Sequence, residues 1–354
     1  MHKKNGIREI AEIAGVSTAT VSRVLNGKGN VDPELSKRVM RVAEEVGYQP
    51  SPAARYMRSK KSGLLGIVVP KLSLSYFSDI VNGAIDKASE YNQLMIVATV
   101  EGNRRTEKDF LSKFSHYMID GLIYCPVTTG EYVEEMKDLS HIPLVIAGRR
   151  KILEGIPSIS TDDEKAGYIS TKYLIQLGRS AIGFFAGFWG EAPFKDEKDL
   201  LKAIDSPMSG SFSTLDRLRG YRTALDENKI VMDEKRLVFS SFDADSGYES
   251  ARELFGRLGE LDALIVPNCY VAKGVYKFCT EQGIEIPFGL SLISMDDLRT
   301  GELLSIPTTS IIHNMYQVGV ESVLRINQII EKRKVDDTLI DVRLHIRQST
   351  TKKA

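Results

Sequence analysis

From residue 64 onward, short apolar runs alternate with amphipathic stretches of helix length, and this alternation restricts the fold more than any other feature of the sequence. The apolar runs have the length of buried parallel strands; they are residues 64–69, 94–98, 121–124, 144–147, 182–185, 237–239, 263–266 and 290–294. The stretches with a helical period are residues 77–91, 106–118, 164–177, 215–227, 246–258 and 271–282. Because eight strands are more than one sheet of typical size contains, we predict two α/β lobes. Ligands of such sheets bind at the carboxyl ends of the strands, so we expect a ligand cleft between the lobes.

The first 62 residues are basic, although the chain as a whole has no net charge. They contain 12 Lys and Arg against 6 Asp and Glu, whereas the 354-residue chain contains 47 of each class. A basic end joined to an acidic body predicts that this end contacts a polyanion.

Three short helices are predicted in this basic end, at residues 7–14, 17–26 and 32–46. Two short helices joined by a turn that contains Gly15 and braced by a third helix predict a helix-turn-helix. On periodicity alone, a helical hairpin with a solvated basic face fits equally well. In the helix-turn-helix, Arg23 would pair with a guanine edge in the major groove. Four polar side chains could bind phosphates, namely Ser17, Thr20, Ser22 and Asn26.

Residues 10–26, with the sequence IAEIAGVSTATVSRVLN, closely resemble the headpiece of the lactose/galactose repressor family. In addition, residues 47–50 (GYQP) fall where that family has a Y-x-P motif. The resemblance implies an all-α helix-turn-helix DNA-binding headpiece over residues 1–50, with Thr18, Ala19 and Arg23 at base-reading positions. The residues expected to contact DNA are Ser17, Thr18, Ala19, Thr20, Ser22, Arg23, Asn26, Asn30, Tyr48, Ala54 and Met57.

Residues 51–63 are basic, rich in small side chains and bounded by Pro and Gly. This composition is typical of a solvated linker. The family resemblance instead implies a hinge helix that folds on DNA and inserts an apolar wedge into the minor groove. Met57 lies at the wedge position, where the family usually has Leu.

The resemblance continues through the body, at landmarks that include residues 119–123 (IDGLI), 217–221 (RLRGY) and 294–297 (SMDD). It implies an α/β two-lobed periplasmic-binding-protein-like core over residues 64–348. We expect the N-lobe at residues 64–161 and 312–331, and the C-lobe at residues 162–311 and 332–348.

Six residues are implied to line the effector cleft: Tyr76, Phe77, Arg217, Phe242, Asn268 and Asp296. The aromatic rings would stack on the effector, Arg217 would bind its oxygens, and the amide and carboxylate would bind hydroxyl groups. The alternatives are core packing for Phe77 and Phe242 and a salt bridge for Arg217. Gly148 and Cys269 stand where family members often have Asp, which favours an anionic ligand over a neutral sugar.

Residues 188–213 form a segment about twenty residues longer than the family usually has. A tolerated surface insertion is one interpretation. The other is a lid, or a docking site for another protein, that uses Trp189 and Phe194.

Motifs for catalysis, phosphate binding and metal ligation were sought and not found, so we expect no enzyme activity, no cofactor and no metal. The three cysteines show no CxxC spacing, and no apolar run has the length of a membrane span. The sequence therefore predicts a cytoplasmic, homodimeric transcription regulator, expected to be a repressor. Its partners would be operator DNA and a sugar or anionic sugar effector. The alternatives are control by a protein co-regulator and, more distantly, a cytosolic solute-binding protein.

Overall fold

The computed structural model describes residues 6–25, 31–48, 61–126, 139, 141–150, 155–189, 192–206, 212–296, 302 and 304–353. The chain divides into two compact units, with the boundary between Ser62 and Gly63.

The N-terminal unit contains three helices among its described residues: α1 (Ile7–Ala14), α2 (Thr18–Leu25) and α3 (Pro33–Glu45). Ile10, Val21 and Val39, one from each helix, are fully buried in its apolar core. Gly15 ends α1 in the left-handed conformation (φ 64°), which a side chain would disfavour, and so turns the chain into α2. The predicted three-helix headpiece is confirmed.

The larger unit is built from twelve strands and eight helices among the described residues. The strands are β1 (Leu64–Val69), β2 (Leu94–Thr99), β3 (Gly121–Tyr124), β4 (Leu144–Ala147), β5 (Ser158–Thr161), β6 (Ile182–Gly187), β7 (Leu237–Ser240), β8 (Ala263–Val266), β9 (Ser291–Ser294), β10 (Thr309–Ile312), β11 (Thr338–Ile340) and β12 (Arg343–His345). The helices are α4 (Ser75–Glu90), α5 (Arg104–His116), α6 (Asp163–Gln176), α7 (Glu197–Ala203), α8 (Ser213–Glu227), α9 (Ala244–Leu258), α10 (Cys269–Gln282) and α11 (Met315–Ile330). All eight predicted strands are present.

The strands form two six-stranded sheets, one in each lobe. The N-lobe sheet has the order β11-β5-β4-β3-β1-β2, and all its strand pairs are parallel. The C-lobe sheet has the order β12-β10-β9-β8-β6-β7, with only the β10–β12 pair antiparallel. Each sheet is packed against helices through its own apolar clusters. The predicted two-lobed α/β core is confirmed.

The chain crosses between the lobes three times, after β5, after β10 and after β11. The expected lobe boundaries therefore differ from the structure at two points. Residues 332–348 were assigned to the C-lobe, but β11 pairs in parallel with β5 and extends the N-lobe sheet to Ile340. The C-lobe also extends beyond residue 348, because Ser349 and Thr350 are buried against it and Ser349 Oγ donates to Leu292 O at 2.6 Å.

Candidate functional site

The exposed face of α2 is the candidate DNA-reading surface. Ser17, Thr18, Ala19 and Arg23 are exposed, while Val21 on the opposite face is fully buried. Small and polar side chains at the start of a helix allow its backbone to approach the floor of a major groove. The headpiece therefore presents the side chains that the sequence assigns to base and phosphate contacts.

The hydroxyl groups at the start of α2 already have partners within the headpiece. Ser17 Oγ accepts a hydrogen bond from the Thr20 backbone N–H at 3.1 Å and lies 2.9 Å from Thr20 Oγ1. Ser17 thus caps the helix. Thr20, Ser22 and Tyr48 are half-buried, and Tyr48 packs against the headpiece core. The other predicted DNA contacts lie outside the described residues; they are Asn26, Asn30, Ala54 and Met57.

In the cleft, Arg217 forms a buried ion pair with a residue that the sequence analysis missed. Arg217 Nε donates to Asp163 Oδ1 at 2.6 Å, and the two residues are 8% and 3% exposed. Burial lowers the pKa of the Arg217 guanidinium, but Asp163, Tyr76 and Asp296 together outweigh this effect, so its pKa is raised. This bond uses one of five N–H donors, so the terminal nitrogens keep four for other partners.

The Arg217–Asp163 pair is positioned by the close approach of helices α6 and α8. A Cβ atom on Gly167 of α6 would lie 1.9 Å from the carbonyl oxygen of Arg217 on α8, and one on Gly220 would lie 1.9 Å from that of Glu164. Only glycine permits this contact between backbones. Asp163 lies one turn before Gly167, in an acidic first turn that suits the positive end of the α6 dipole. The glycine pair therefore fixes Arg217 beside the Asp163 carboxylate.

Tyr76, from the first turn of the N-lobe helix α4, faces this pair. Burial raises the pKa of the Tyr76 phenol, and the negative charges of Asp163 and Asp296 raise it further. Gly148 borders the same ring, because a Cβ atom there would lie 3.5 Å from the Tyr76 hydroxyl oxygen. Tyr76, Arg217 and Asp296 are thus brought into one electrostatic environment.

Arg149 adds a second guanidinium to the cleft. Burial lowers its pKa, while the charges of Tyr76, Tyr124, Glu107 and Asp163 act in the opposite direction. It belongs to the loop after β4 in the N-lobe, yet its Cζ lies 5.8 Å from the ring centre of Phe212 in the C-lobe. The cleft therefore receives one arginine from each lobe.

Two of the three aromatic residues expected to stack on an effector, Phe77 and Phe242, flank Trp189. The ring centres of Phe77 and Trp189 are 6.1 Å apart, and those of Trp189 and Phe242 are 4.8 Å apart. The ring of Tyr76 packs edge-on against Phe77, with ring centres 5.0 Å apart. Phe77 is nearly buried, in agreement with the core-packing alternative, whereas Phe242 is half-buried.

Asn268 and Asp296 lie at the carboxyl ends of β8 and β9. Asn268 is 4% exposed; its Oδ1 caps α10 by accepting from Val271 N at 2.9 Å, and its Nδ2 donates to Phe242 O at 3.0 Å. These bonds suit a residue that positions Phe242. The Asp296 carbonyl accepts from Cys269 Sγ at 3.3 Å, which places that cysteine at the cleft. Direct binding of an effector by Asn268 and Asp296 stays a prediction.

His313 connects two crossings of the chain and was not among the site residues predicted from the sequence. Its Nε2 donates to Met295 O at 2.7 Å, so in the neutral ring Nδ1 accepts from Thr161 Oγ1 at 2.9 Å. Burial and the charge of Arg217 lower its pKa to about 4. His313 therefore stays neutral at physiological pH and joins the β5 and β10 ends beside the Arg217–Asp163 pair.

Most of the described part of the inserted segment after β6 packs on the C-lobe. Phe194 packs on Phe188 and Phe212, with ring centres 5.7 and 6.0 Å apart, and Leu200 on α7 is fully buried. Trp189 faces the cleft. Both aromatic residues on which the docking-site interpretation depended thus contact side chains of this protein.

No group of three or more His, Cys, Asp or Glu residues within the described ranges could hold a metal ion. No helix in the same ranges is long and apolar enough to cross a membrane.

Comparison with known proteins assigns both units to one family. Residues 62–348 match the family described as periplasmic binding proteins and sugar binding domain of LacI family, and residues 6–51 match bacterial regulatory proteins, lacI family. The chain is 28% identical over 347 residues to catabolite control protein A of Priestia megaterium, covering 97% of this chain and 98% of the relative. It is 26% identical over 346 residues to the ribose operon repressor of Halalkalibacterium halodurans, covering 97% and 96%.

A solved structure has the same architecture over the whole chain. The lac repressor dimer bound to operator and the anti-inducer ONPF superposes with a TM-score of 0.81 at 23% identity, covering 99% of this chain and 100% of that chain. The headpiece match, the sugar-binding-domain match and the two-lobed fold all agree with the resemblance seen in the sequence. The chain belongs to the LacI family of bacterial regulatory proteins.

Proposed function

We propose that this protein is a homodimeric transcriptional repressor that acts in the cytoplasm. Each headpiece would read one half-site of a pseudo-palindromic operator through Thr18, Ala19 and Arg23. Ser17 and Ser22 would bind neighbouring phosphates, so the affinity would fall steeply with salt concentration. The exposure of Thr18, Ala19 and Arg23 on one face of α2 supports this role.

We further propose that operator affinity is controlled by a small polyhydroxylated effector, either a sugar or an anionic sugar derivative such as a sugar phosphate or sugar acid. The observation that carries this proposal is the buried Arg217 guanidinium, held by Asp163 through Nε at 2.6 Å. A preorganised guanidinium forms charge-assisted hydrogen bonds with hydroxyl, carboxylate and phosphate oxygens. Arg149 and Tyr76, contributed by the N-lobe, add donors on the opposite wall.

The anionic class is favoured by the residues that border Tyr76 and Asp296. Gly148 and Cys269 bring no charge to positions where a carboxylate would repel an anion, and Cys269 Sγ instead donates to the Asp296 carbonyl at 3.3 Å. Two arginines reach the cleft, so an added negative charge would be better balanced there than in a site lined by additional carboxylates.

The test is a thermal-shift panel on the full-length protein with ribose, ribose 5-phosphate, gluconate and adenine as probes. A probe that binds at a hundred times its dissociation constant is expected to stabilise the folded core by about 2.7 kcal/mol. Tyr76→Phe keeps the ring and removes the hydroxyl, so it should reduce the shift caused by the same probe. Operator binding is then measured with and without that probe. Stabilisation by ribose alone would refute the anionic class, and stabilisation by none would refute small-molecule control within this panel.

A further inference from the structure

Trp189 belongs to the C-lobe by sequence and packs into the N-lobe by structure. It follows β6 directly, yet its side chain joins the two apolar clusters of the N-lobe. A Cβ atom placed on Gly102, in the turn after β2, would lie 3.2 Å from Trp189 Cε3. The indole ring therefore rests against N-lobe backbone as well as against Phe77.

The strand orders of the two sheets show which side of the cleft Trp189 closes. The three crossings leave β5, β10 and β11. In the N-lobe sheet β11 and β5 are the first two strands of the order, and in the C-lobe sheet β10 is the second. Gly102 and Phe242 follow β2 and β7, which are the opposite ends of the same orders. The Trp189 contacts thus lie on the side of the cleft remote from the crossings. A contact far from the hinge resists opening of the lobes more effectively than a contact beside the hinge.

We propose that Trp189 is a latch across the mouth of the effector cleft and that it gates access to Arg217. This role rests on the effector binding proposed above. The aromatic positions at Phe77 and Phe242 are occupied by the indole ring, so a ligand that stacks on either of them must move Trp189 first. Trp189 thereby selects ligands whose flat apolar face can replace the indole ring against Phe77 or Phe242.

The latch can be tested without an effector, because two of the three cysteines lie at the cleft. All three are buried at 2% exposure. Cys125 follows β3 and interacts electrostatically with Arg149 and Tyr76, and Cys269 donates to the Asp296 carbonyl. Cys279 lies in an apolar cluster of the C-lobe that includes Val275 and Leu292. Opening of the mouth should expose the first two thiols and leave the third protected.

The experiment measures the alkylation rate of each thiol by iodoacetamide, with peptide mass spectrometry, in the full-length ligand-free protein. Trp189→Ala is expected to accelerate Cys125 and Cys269 by about tenfold or more, with Cys279 unchanged. Trp189→Phe, which keeps one ring, should give a smaller acceleration. The matched control is Phe288→Ala, which removes an aromatic side chain of the C-lobe that is 71% exposed; it should leave all three rates unchanged.

Two results would overturn the latch. Unchanged rates at Cys125 and Cys269 in Trp189→Ala would mean that the indole does not hold the mouth closed. Equal acceleration of all three thiols would mean that the substitution loosens the whole core.

A second measurement separates the gate from the proposed function. Trp189 is the only tryptophan in the chain, so its emission reports this residue alone. A probe from the panel that stabilises the protein should also change the emission maximum of Trp189. Stabilisation with unchanged emission would overturn the gate and leave effector binding intact. If no probe stabilises the protein, effector binding fails on this panel, while the alkylation rates still decide whether the latch exists.

Discussion

Acidification should destabilise the core through His313, and the size of the effect follows from its environment. The folded protein holds the pKa of His313 at about 4, against an ordinary value of 6.5. Between these pH values the unfolded chain binds a proton that the folded protein does not, so the free energy of unfolding falls as the pH falls. From pH 7 to pH 5, this one residue should cost about 2 kcal/mol.

The assay is urea unfolding at pH 7 and pH 5, followed by the fluorescence of Trp189. Because the only tryptophan lies in the core unit, its signal excludes the headpiece transition. Other groups also titrate; the pKa of Asp216 is raised by its burial and by Asp163, which has the opposite effect on stability. The comparison is therefore made with His313→Gln, whose amide can donate to Met295 O and accept from Thr161 but does not titrate.

The free energy of unfolding of His313→Gln should fall by about 2 kcal/mol less than that of the wild type over this pH range. His116→Gln, which removes an exposed histidine, should follow the wild type. Parallel pH dependences of the wild type and His313→Gln would refute the assignment of a neutral, buried imidazole between the two crossings.

Three further tests concern the Arg217–Asp163 pair, the helix contact that supports it and the headpiece. Asp163→Asn should lower the free energy of unfolding by about 3–5 kcal/mol, because it leaves Arg217 buried without its carboxylate; a double-mutant cycle with Arg217→Met should show strong coupling, and additive effects would refute the pair. Gly167→Ala should cost about 1–3 kcal/mol or more in urea unfolding, because its Cβ overlaps the neighbouring helix. Gly256→Ala, a helical glycine with nothing within 4 Å, should instead stabilise by up to about 1 kcal/mol. Arg23→Ala should cost about 1–3 kcal/mol of operator affinity and relax one base position, as read by binding to a library of half-sites; equal weakening on all sequences would make Arg23 a phosphate contact.

The sequence predicts those parts of the fold that have a local signal. The eight predicted strands are near-continuous apolar runs, which is the pattern of a parallel strand covered on both faces. β5 and β10 lack it, because at least half of their residues are polar. Ser158 and Ser160 in β5 and Thr309 and Ser310 in β10 are nevertheless fully or almost fully buried. Their hydroxyl groups are satisfied by distant partners; for example, Ser158 Oγ donates to Asp337 at 3.0 Å. No local pattern records such a bond.

Part of the candidate site could likewise be predicted from the sequence. Arg217 and Tyr76 were found through the family resemblance, and the structure brings them together. Asp163 was missed because its role depends on a helix crossing set by Gly167, which is not evident in the sequence. Trp189 was predicted only as part of a lid or docking site, since the length of an insertion does not reveal whether its first residues face solvent or the other lobe. The lone tryptophan a few residues after a predicted strand was the signal available.

The division of the site between the lobes determines how an effector can act on DNA binding. Asp163 and Arg217 lie on α6 and α8 of the same lobe, so their geometry does not change with the angle between the lobes. An effector that touched only this pair would bind the open and closed states equally well and could shift neither, however tightly it bound. Tyr76 and Arg149 come from the other lobe, so their approach to the pair depends on the angle between the lobes. Control of the operator by an effector in this cleft would therefore require contacts to both walls. For the same reason, Tyr76→Phe should weaken the coupling between effector and operator more than it weakens effector binding itself, because the hydroxyl contributes chiefly in the closed state.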